Sequence, residues 1–195
     1  TLINLLLGYR KDYTGEILLD DTELRQIKTD ALYNIFSIVQ QNVFVFNSSI
    51  EDNITMFNEA YRSKLPSVIK QAGLETLVAQ RGTDFLCGEN GKNLSGGEKQ
   101  RISIARTILK EMPVILMDEA TATLDNITSY TVENAILDLK NQTKIVVTHR
   151  LNEKLLKRYD QIILLKNGTV NEIGDFETLM AQKGNFYMLF NASTN

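Results

Sequence analysis

The sequence predicts an α/β fold with a parallel sheet, and its hydrophobic pattern supports this in three places. Residues 114–117 and 145–147 are short, continuous apolar runs rich in branched side chains, which is typical of parallel strands buried on both faces. Between them, apolar residues at 132, 135, 136 and 139 repeat at helical spacing. A strand, a helix and a second strand in this order form a βαβ unit.

The elements before this unit are shorter. Residues 2–7 are predicted to end a buried helix, and Gly8 follows as a helix stop. Residues 15–19 and 36–39 are predicted strands, with a turn after the first. The stretch 49–109 has a helical pattern, in which Pro66 is expected early in one helix and Gly73 near its end.

The chain is expected to finish with an antiparallel pair of strands. Residues 162–165 and 169–173 are apolar runs on either side of Asn167 and Gly168, a strong two-residue hairpin turn. The predicted class is therefore α/β, with a parallel sheet, an antiparallel β edge and a helical middle region.

Composition limits the kind of protein. The chain has 195 residues, of which 43% are hydrophobic and 23% charged, which is typical of one globular domain. The net charge of -3 and the lack of a long Lys/Arg block argue against a nucleic-acid partner. Cys87 is the single cysteine and is expected to be a packed or incidental residue rather than a metal ligand or a nucleophile. No apolar run is long enough to cross a bilayer, and the opening residues indicate a domain already under way.

Two carboxylates follow the strand at residues 114–117. Open α/β sheets bind ligands at the carboxyl ends of their strands, where Asp118 and Glu119 would lie. One acid can hold Mg²⁺ while the other positions or deprotonates a water. From this run alone, an ordinary strand end with solvated acids is an equally good interpretation.

The segment 94–101 is more specific. Ser95 and Glu98 have the spacing of a capping box, so a helix is predicted to start there. Capping does not explain Gly96 and Gly97, because two glycines in a first helical turn cost about 1 kcal/mol each relative to alanine. Bare backbone amides at a helix start are suited to contact an anion.

These segments resemble motifs of ABC transporter nucleotide-binding domains. LSGGEKQR (94–101) resembles the ABC signature motif, and ILMDEATATLD (115–125) resembles a Walker B motif running into a D-loop. Gln41 is similar to the Q-loop glutamine, and His149, the only histidine, to the switch histidine of the H-loop. The resemblance spans nearly the whole chain.

The resemblance implies a P-loop NTPase-like (RecA-like) core from 1–41 and 111–195, with an ABC-type helical subdomain at about 42–110. It also implies a sandwich dimer, in which ATP lies between the phosphate loop of one nucleotide-binding domain and the signature loop of a second. By this resemblance, Asp118 would support Mg²⁺, Gln41 would reach the metal and the attacking water, and Glu119 would act as general base. His149 would contact the γ-phosphate, and Asp125 would communicate across the dimer. The residues implied in nucleotide binding at the signature loop are Ser95, Gly96, Gly97 and Glu98.

The phosphate loop of the family would lie just before Leu2. Its absence leads us to expect weak or no ATP binding, and no activity, from this chain alone, while the parent protein should bind ATP. Residues 84–91 resemble a segment typical of exporters, in which Glu89 would touch an intracellular loop of the membrane domain. The expected function is ATP-powered export at the cytoplasmic face of the cell membrane.

Some positions differ from the common family pattern, and rival functions stay open. Glu98 replaces the usual signature glutamine, which leaves the hydrolysis rate and the choice of homodimer or heterodimer in doubt.

A non-transport ABC ATPase is the first alternative function, although no basic arm or coiled-coil insertion is visible in the sequence. A catalytically silent regulatory or dimerisation module is the second.

Overall fold

The computed structural model describes residues 2–40 and 43–194, without the side chain of the last of these. The chain divides into two compact units, one that runs to Val147 and one that starts at Thr148. No helix among the described residues has both the length and the apolar character that crossing a bilayer requires.

The first unit contains a parallel sheet and most of the helices. Its elements, in chain order, are α1 (Leu2–Leu6), β1 (Leu18–Leu19), β2 (Thr22–Glu23), α2 (Thr29–Leu32), β3 (Phe36–Val39), α3 (Ile50–Thr55), α4 (Leu65–Gln71), α5 (Glu75–Arg81), α6 (Gly96–Lys110), β4 (Val114–Asp118), α7 (Asn126–Asp138) and β5 (Thr143–Val147), with 3₁₀ turns at Leu24–Gln26, Glu59–Lys64 and Glu89–Gly91.

The predicted parallel strands are confirmed. Strands β3, β4 and β5 pair in that order, all parallel, and α7 connects the last two. In the centre, β4 has three fully buried residues, Ile115, Leu116 and Met117. The expectation that 145–147 is buried on both faces is wrong, since these residues are only partly buried or exposed. Within the described sheet β5 pairs with β4 alone.

The first predicted strand is shorter than expected. Pairing in β1 starts at Leu18 rather than at Gly15, and β2 returns antiparallel with Leu19 opposite Thr22. Asp20 in the turn has a φ of 49°. Gly15 has a φ of 87°, a left-handed backbone that does not continue a strand.

The helical middle region is confirmed and is organised around α6. Helices α3 and α4 pack against α6, and Ile102, Ala105 and Leu109 of α6 are buried as predicted. Pro66 occupies the first turn of α4, where its missing N–H costs no helical hydrogen bond. Gly73, with a φ of 66°, follows the end of α4. Cys87 is fully buried, which raises the pKa of its thiol.

Helix α7 buries one side against the same core. Val132 and Ile136 are fully buried, whereas Ala135 and Leu139 are partly buried. Leu139 lies just past the last helical residue with an extended backbone. The predicted apolar face is therefore present, but α7 ends at Asp138, one residue before the last predicted member of that face, Leu139.

The second unit is a hairpin followed by two helices. Its elements are α8 (Glu153–Leu156), β6 (Ile162–Lys166), β7 (Thr169–Gly174), α9 (Phe176–Gln182) and α10 (Asn185–Thr194). The predicted antiparallel strands are confirmed, and β6 and β7 form a two-stranded sheet of their own. Asn167 and Gly168 both have positive φ, 53° and 79°, which fits a type I′ turn. Phe176, Phe186 and Phe190 form the aromatic centre of this unit.

Candidate active site

The three parallel strands end at one edge of the sheet. Val39 lies beside Met117, and Val147 lies beside Asp118, so the chain leaves all three strands at neighbouring points. Asp118 is the last residue of β4 and its side chain is partly buried. This is the edge at which open α/β sheets bind ligands, and it is where the sequence predicts the acidic pair.

Glu119 has a left-handed backbone, with a φ of 48°. For a residue with a β-carbon this conformation costs roughly 1–2 kcal/mol. Two backbone hydrogen bonds hold it: the Glu119 amide donates to the Val147 carbonyl at 3.0 Å, and the Ala122 amide donates to the Glu119 carbonyl at 3.0 Å. The position of Glu119 is therefore fixed to the neighbouring strand β5 as well as to its own loop.

Asp125 ends the loop that starts at Glu119 and caps α7. Its Oδ1 accepts the amides of Ile127 and Thr128, at 3.1 and 2.9 Å. The hydrogen bonds from Thr128 are the main cause of a lowered pKa for Asp125. The side chain is exposed and stays ionised at neutral pH. It also stabilises the start of α7 as its N-cap residue.

The capping box predicted at the start of α6 is confirmed. The Glu98 amide donates to the Ser95 hydroxyl at 3.3 Å, and the Ser95 amide donates to Glu98 Oε2 at 2.6 Å. Partial burial raises the pKa of Glu98, but the hydrogen bonds with Ser95 outweigh it and the pKa lies below its ordinary value. Glu98 thus places a negative charge in the first turn of a helix of 15 residues.

The two glycines of this turn have different surroundings. A β-carbon added at Gly96 would meet no atom within 4 Å, so the backbone there is open to approach from outside. One added at Gly97 would lie 3.4 Å from the Leu124 side chain and 4.0 Å from the Thr123 carbonyl. The structure thus brings the signature loop next to the D-loop of the same chain. Gly96 is the first residue of α6, and the amides of a first helical turn, which have no partner within the helix, are suited to bind a phosphate group.

Gln100 connects α6 to the first strand of the sheet, a contact that the sequence analysis missed. The side chain is 2% exposed, and its Nε2 donates to the backbone carbonyl of Gln40 at 3.1 Å. Gln41, the predicted Q-loop glutamine, is the next residue and lies outside the described residues. The residue just before that loop, Gln40, is therefore connected by a hydrogen bond to α6, the helix that begins with the signature motif.

A second missed contact joins α6 to the segment after Gln41. Arg106 donates to the Asn53 carbonyl at 2.6 Å, to Asn53 Oδ1 at 2.7 Å and to the Phe44 carbonyl at 2.6 Å. Asn53 is fully buried and also pairs with the backbone amide and carbonyl of Phe46. Burial lowers the pKa of Arg106. One side chain of the signature helix thus holds both α3 and the aromatic segment 44–46.

His149 lies two residues after β5, in the second unit. Its side chain is exposed, and the backbone next to it is held by the Thr148 hydroxyl, which accepts the amide of Arg150 at 3.0 Å.

Glu89 is exposed in the 3₁₀ turn Glu89–Gly91. The backbone carbonyl of the next residue, Asn90, accepts a hydrogen bond from Nζ of Lys99 of α6 at 2.9 Å. The roles predicted for His149 and Glu89 stay predictions.

The carboxylate at the end of β4 suits a hard cation that takes some of its ligands from the protein and the others from a substrate and waters. Within residues 2–40 and 43–194, no three His, Cys, Asp or Glu side chains come together as a metal site. Mg²⁺ is usually held by one or two carboxylates together with substrate phosphates and waters rather than by an all-protein cage. Asp118, the last residue of β4, is a carboxylate that could hold Mg²⁺ in this way.

Comparison with known proteins assigns the family. The sequence model of the family described as "ABC transporter" matches residues 1–122. The chain is 38% identical over 99% of its length to the ATP-dependent lipid A-core flippase of Neisseria meningitidis serogroup A, and 37% identical over its whole length to the multidrug resistance protein pgp-1 of Caenorhabditis elegans. It covers 31% and 15% of these proteins, so it spans at most about a third of these relatives.

A solved structure has the same fold. The chain superposes over its full length on 35% of the chain in "Structure of a bacterial Atm1-family ABC exporter with ATP bound", with a TM-score of 0.91 and 29% sequence identity. The predicted P-loop NTPase-like fold is confirmed by this match. With the family model covering more than half of the sequence and the signature and Walker B segments in their expected elements, the chain belongs to the ABC transporter family.

Proposed function

We propose that this chain is the larger part of the ATP-binding and ATP-hydrolysing domain of an ABC exporter, in which hydrolysis powers substrate export across a membrane. The observation that carries the proposal is the pair Asp118 and Glu119 at the carboxyl end of β4, where the second residue is held in a left-handed backbone by β5. The exporters among the relatives support the direction of transport.

Asp118 and Gln41 would hold Mg²⁺ at the end of the sheet. When bound, the ion would neutralise charge on the phosphate oxygens of ATP. Glu119 would accept a proton from the attacking water or orient that water, which requires a carboxylate in a fixed position. The two backbone hydrogen bonds of Glu119 hold the main chain from which that carboxylate extends.

The nucleotide would also contact the signature loop of a second nucleotide-binding domain. Ser95, Gly96, Gly97 and Glu98 form the start of α6, and the open backbone at Gly96 favours an anion there. Asp125 would carry information across the dimer; it ends the loop whose Leu124 side chain lies beside Gly97 of the same chain. His149 would contact the γ-phosphate.

The wider organisation follows the same family pattern. The RecA-like core would comprise 1–41 and 111–195, and the helical subdomain about 42–110. A transmembrane domain of the same transporter would be the second partner, and Glu89 would touch it. The domain would act at the cytoplasmic face of the membrane, without a nucleic-acid partner.

ATP turnover of the full-length protein that contains this chain tests the proposal. We expect turnover that needs Mg²⁺ and stops with EDTA, and Asp118→Asn should lower it by about 10²-fold or more because a metal ligand is lost. Asp30→Asn, in an exposed acid of α2, is the matched control and should leave the rate unchanged. Turnover that is indifferent to EDTA and to Asp118→Asn would overturn the proposal.

A further inference from the structure

A buried polar cluster lies directly behind the loop that carries Glu119. It consists of Thr121 from the loop and of Ser129 and Glu133 from α7, with exposures of 3%, 4% and 5%. The hydroxyl of Thr121 donates to Glu133 Oε1, and the hydroxyl of Ser129 donates to the same oxygen at 3.3 Å. A carboxyl group on the core side of α7 thus faces the loop.

The partners of Glu133 are unusual for a buried acid. Its two hydrogen-bond donors are hydroxyl groups, and no lysine, arginine or histidine forms an ion pair with it in the part of the chain that the structure describes. Removing a carboxyl from water costs free energy that hydroxyl partners offset only in part. An apolar residue would fit between the fully buried Val132 and Ile136 without that cost.

Thr121 is the central fixed point of the loop. Its side chain is held by Glu133, and its carbonyl accepts the Leu124 amide at 3.0 Å. It lies two residues after Glu119, whose carbonyl accepts the Ala122 amide at 3.0 Å. A shift of Thr121 would therefore move Glu119 and the segment that contacts Gly97 together.

We propose that Thr121 and Glu133 are positioning residues for ATP hydrolysis: the Glu133 carboxyl holds the Thr121 hydroxyl and thereby fixes the loop that presents the Glu119 side chain to the reactants. This inference rests on the proposed function of Glu119. The left-handed backbone of Glu119 persists only where its surroundings hold it. The hydrogen bond to Glu133 is directional, so it fixes position in a way that apolar packing does not.

The first test separates turnover from binding in the full-length protein. Thr121→Val keeps the shape but removes the donor, and we expect kcat to fall by about 10- to 100-fold while KM for ATP changes by less than about threefold, since a small misplacement of a reacting group is enough for such a loss. Thr121→Ser keeps the hydroxyl and should retain kcat within about threefold of wild type. An unchanged kcat in Thr121→Val, or an equal loss in both variants, would overturn the proposal.

A second test distinguishes positioning from simple stability. Glu133 accepts from both Thr121 and Ser129, so Thr121→Val removes one of its two donors and Glu133→Met leaves both hydroxyls without this acceptor. Amides of residues 119–138 should therefore exchange hydrogen faster in either variant. The triple variant Thr121→Val, Ser129→Ala and Glu133→Met replaces all three groups by apolar ones and should restore slow exchange. We expect its kcat to stay low. Recovery of kcat together with slow exchange would show a purely structural role and would overturn the inference.

Glu119→Gln identifies which of the two proposals fails. If this variant loses turnover while Thr121→Val keeps it, the positioning role is wrong and the proposed function stands. If Glu119→Gln itself keeps turnover, the assignment of the base is wrong, and the positioning role falls with it.

Discussion

Hydrogen bonds to one charged side chain, Glu23, connect the β1–β2 region to the segment before it. The Tyr13 hydroxyl donates to Glu23 Oε1 at 2.6 Å, and the Arg25 amide and Nε donate to its two oxygens at 2.7 and 3.1 Å. These donors favour the ionised form, so the hydrogen bond from Tyr13 and those from Arg25 lower the pKa of Glu23 from 4.5 to about 2. The β1–β2 turn region is thereby tied to the segment before it.

The lowered pKa predicts a pH dependence of stability. Because the folded pKa is lower than the unfolded one, Glu23 stabilises the fold above about pH 4.5, and this contribution is lost as the pH falls toward 2. In Glu23→Gln we expect a smaller drop in Tm between pH 5 and pH 3 than in wild type. Thermal unfolding at a series of pH values measures it. Glu75→Gln, in the exposed first turn of α5, should keep the wild-type slope; an equal slope in Glu23→Gln would contradict the account.

At the scale of elements, α6 organises the first unit. It begins at the capping box of Ser95, contacts Gln40 through Gln100, and holds α3 through Arg106. The signature loop, the strand before Gln41 and the segment 44–53 are therefore all connected to this one helix.

We expect Arg106 to contribute to the free energy of unfolding mainly through its hydrogen bonds rather than through its charge. Arg106→Ala removes three hydrogen bonds of 2.6–2.7 Å and leaves two backbone carbonyls and the buried Asn53 short of donors. We expect a loss of about 2–4 kcal/mol in the free energy of unfolding, measured by urea denaturation. Arg106→Lys should recover little, because an ammonium group cannot form the same forked contacts.

The control for Arg106 lies on the same helix. Lys110→Ala changes an exposed cation in the last turn of α6 and should alter the free energy of unfolding by less than about 0.5 kcal/mol. Equal effects of Arg106→Ala and Lys110→Ala would show that the contacts with Asn53 and Phe44 contribute nothing.

The β6–β7 hairpin depends on its turn. Gly168 has a φ of 79° and open space around its α-carbon, so a side chain there meets no clash but still strains the backbone. Gly168→Ala should cost about 1 kcal/mol, and Gly168→Asn less, since asparagine tolerates the left-handed region better. Thermal unfolding compares the two; an alanine variant as stable as wild type would contradict the type I′ geometry.

For the whole molecule, the sequence predicted the architecture well because most elements have local signals. The parallel strands, the capping box of α6 and the Asn167–Gly168 hairpin are each visible within a few neighbouring residues. Two details differ. Gly15 has a left-handed backbone that does not continue a strand, which is a local reason. The burial of 145–147 depends on what packs on the two faces of the sheet, which is a non-local reason.

The residues that support the site were harder to predict. Gln100 and Arg106 act through partners 60 and 53 residues away, and no pattern within α6 indicates those contacts. Glu133 did leave a signal, because it is an acid between Val132 and Ile136 on the buried side of α7. The roles of Gln41, Ser95, Asp125 and His149 rest on the family resemblance and stay proposals.

The proposed function of the whole domain depends on Glu119 as the residue that activates water for ATP hydrolysis. The most direct measurement is the rate of phosphate release by the full-length protein at saturating ATP and Mg²⁺, compared between wild type, Glu119→Gln and the surface control Glu75→Gln. We expect Glu119→Gln to lose about 10²- to 10⁴-fold in rate while still binding ATP, and Glu75→Gln to keep the wild-type rate. Phosphate release in Glu119→Gln at the wild-type rate would contradict it, and no release from wild type would favour a catalytically silent regulatory module.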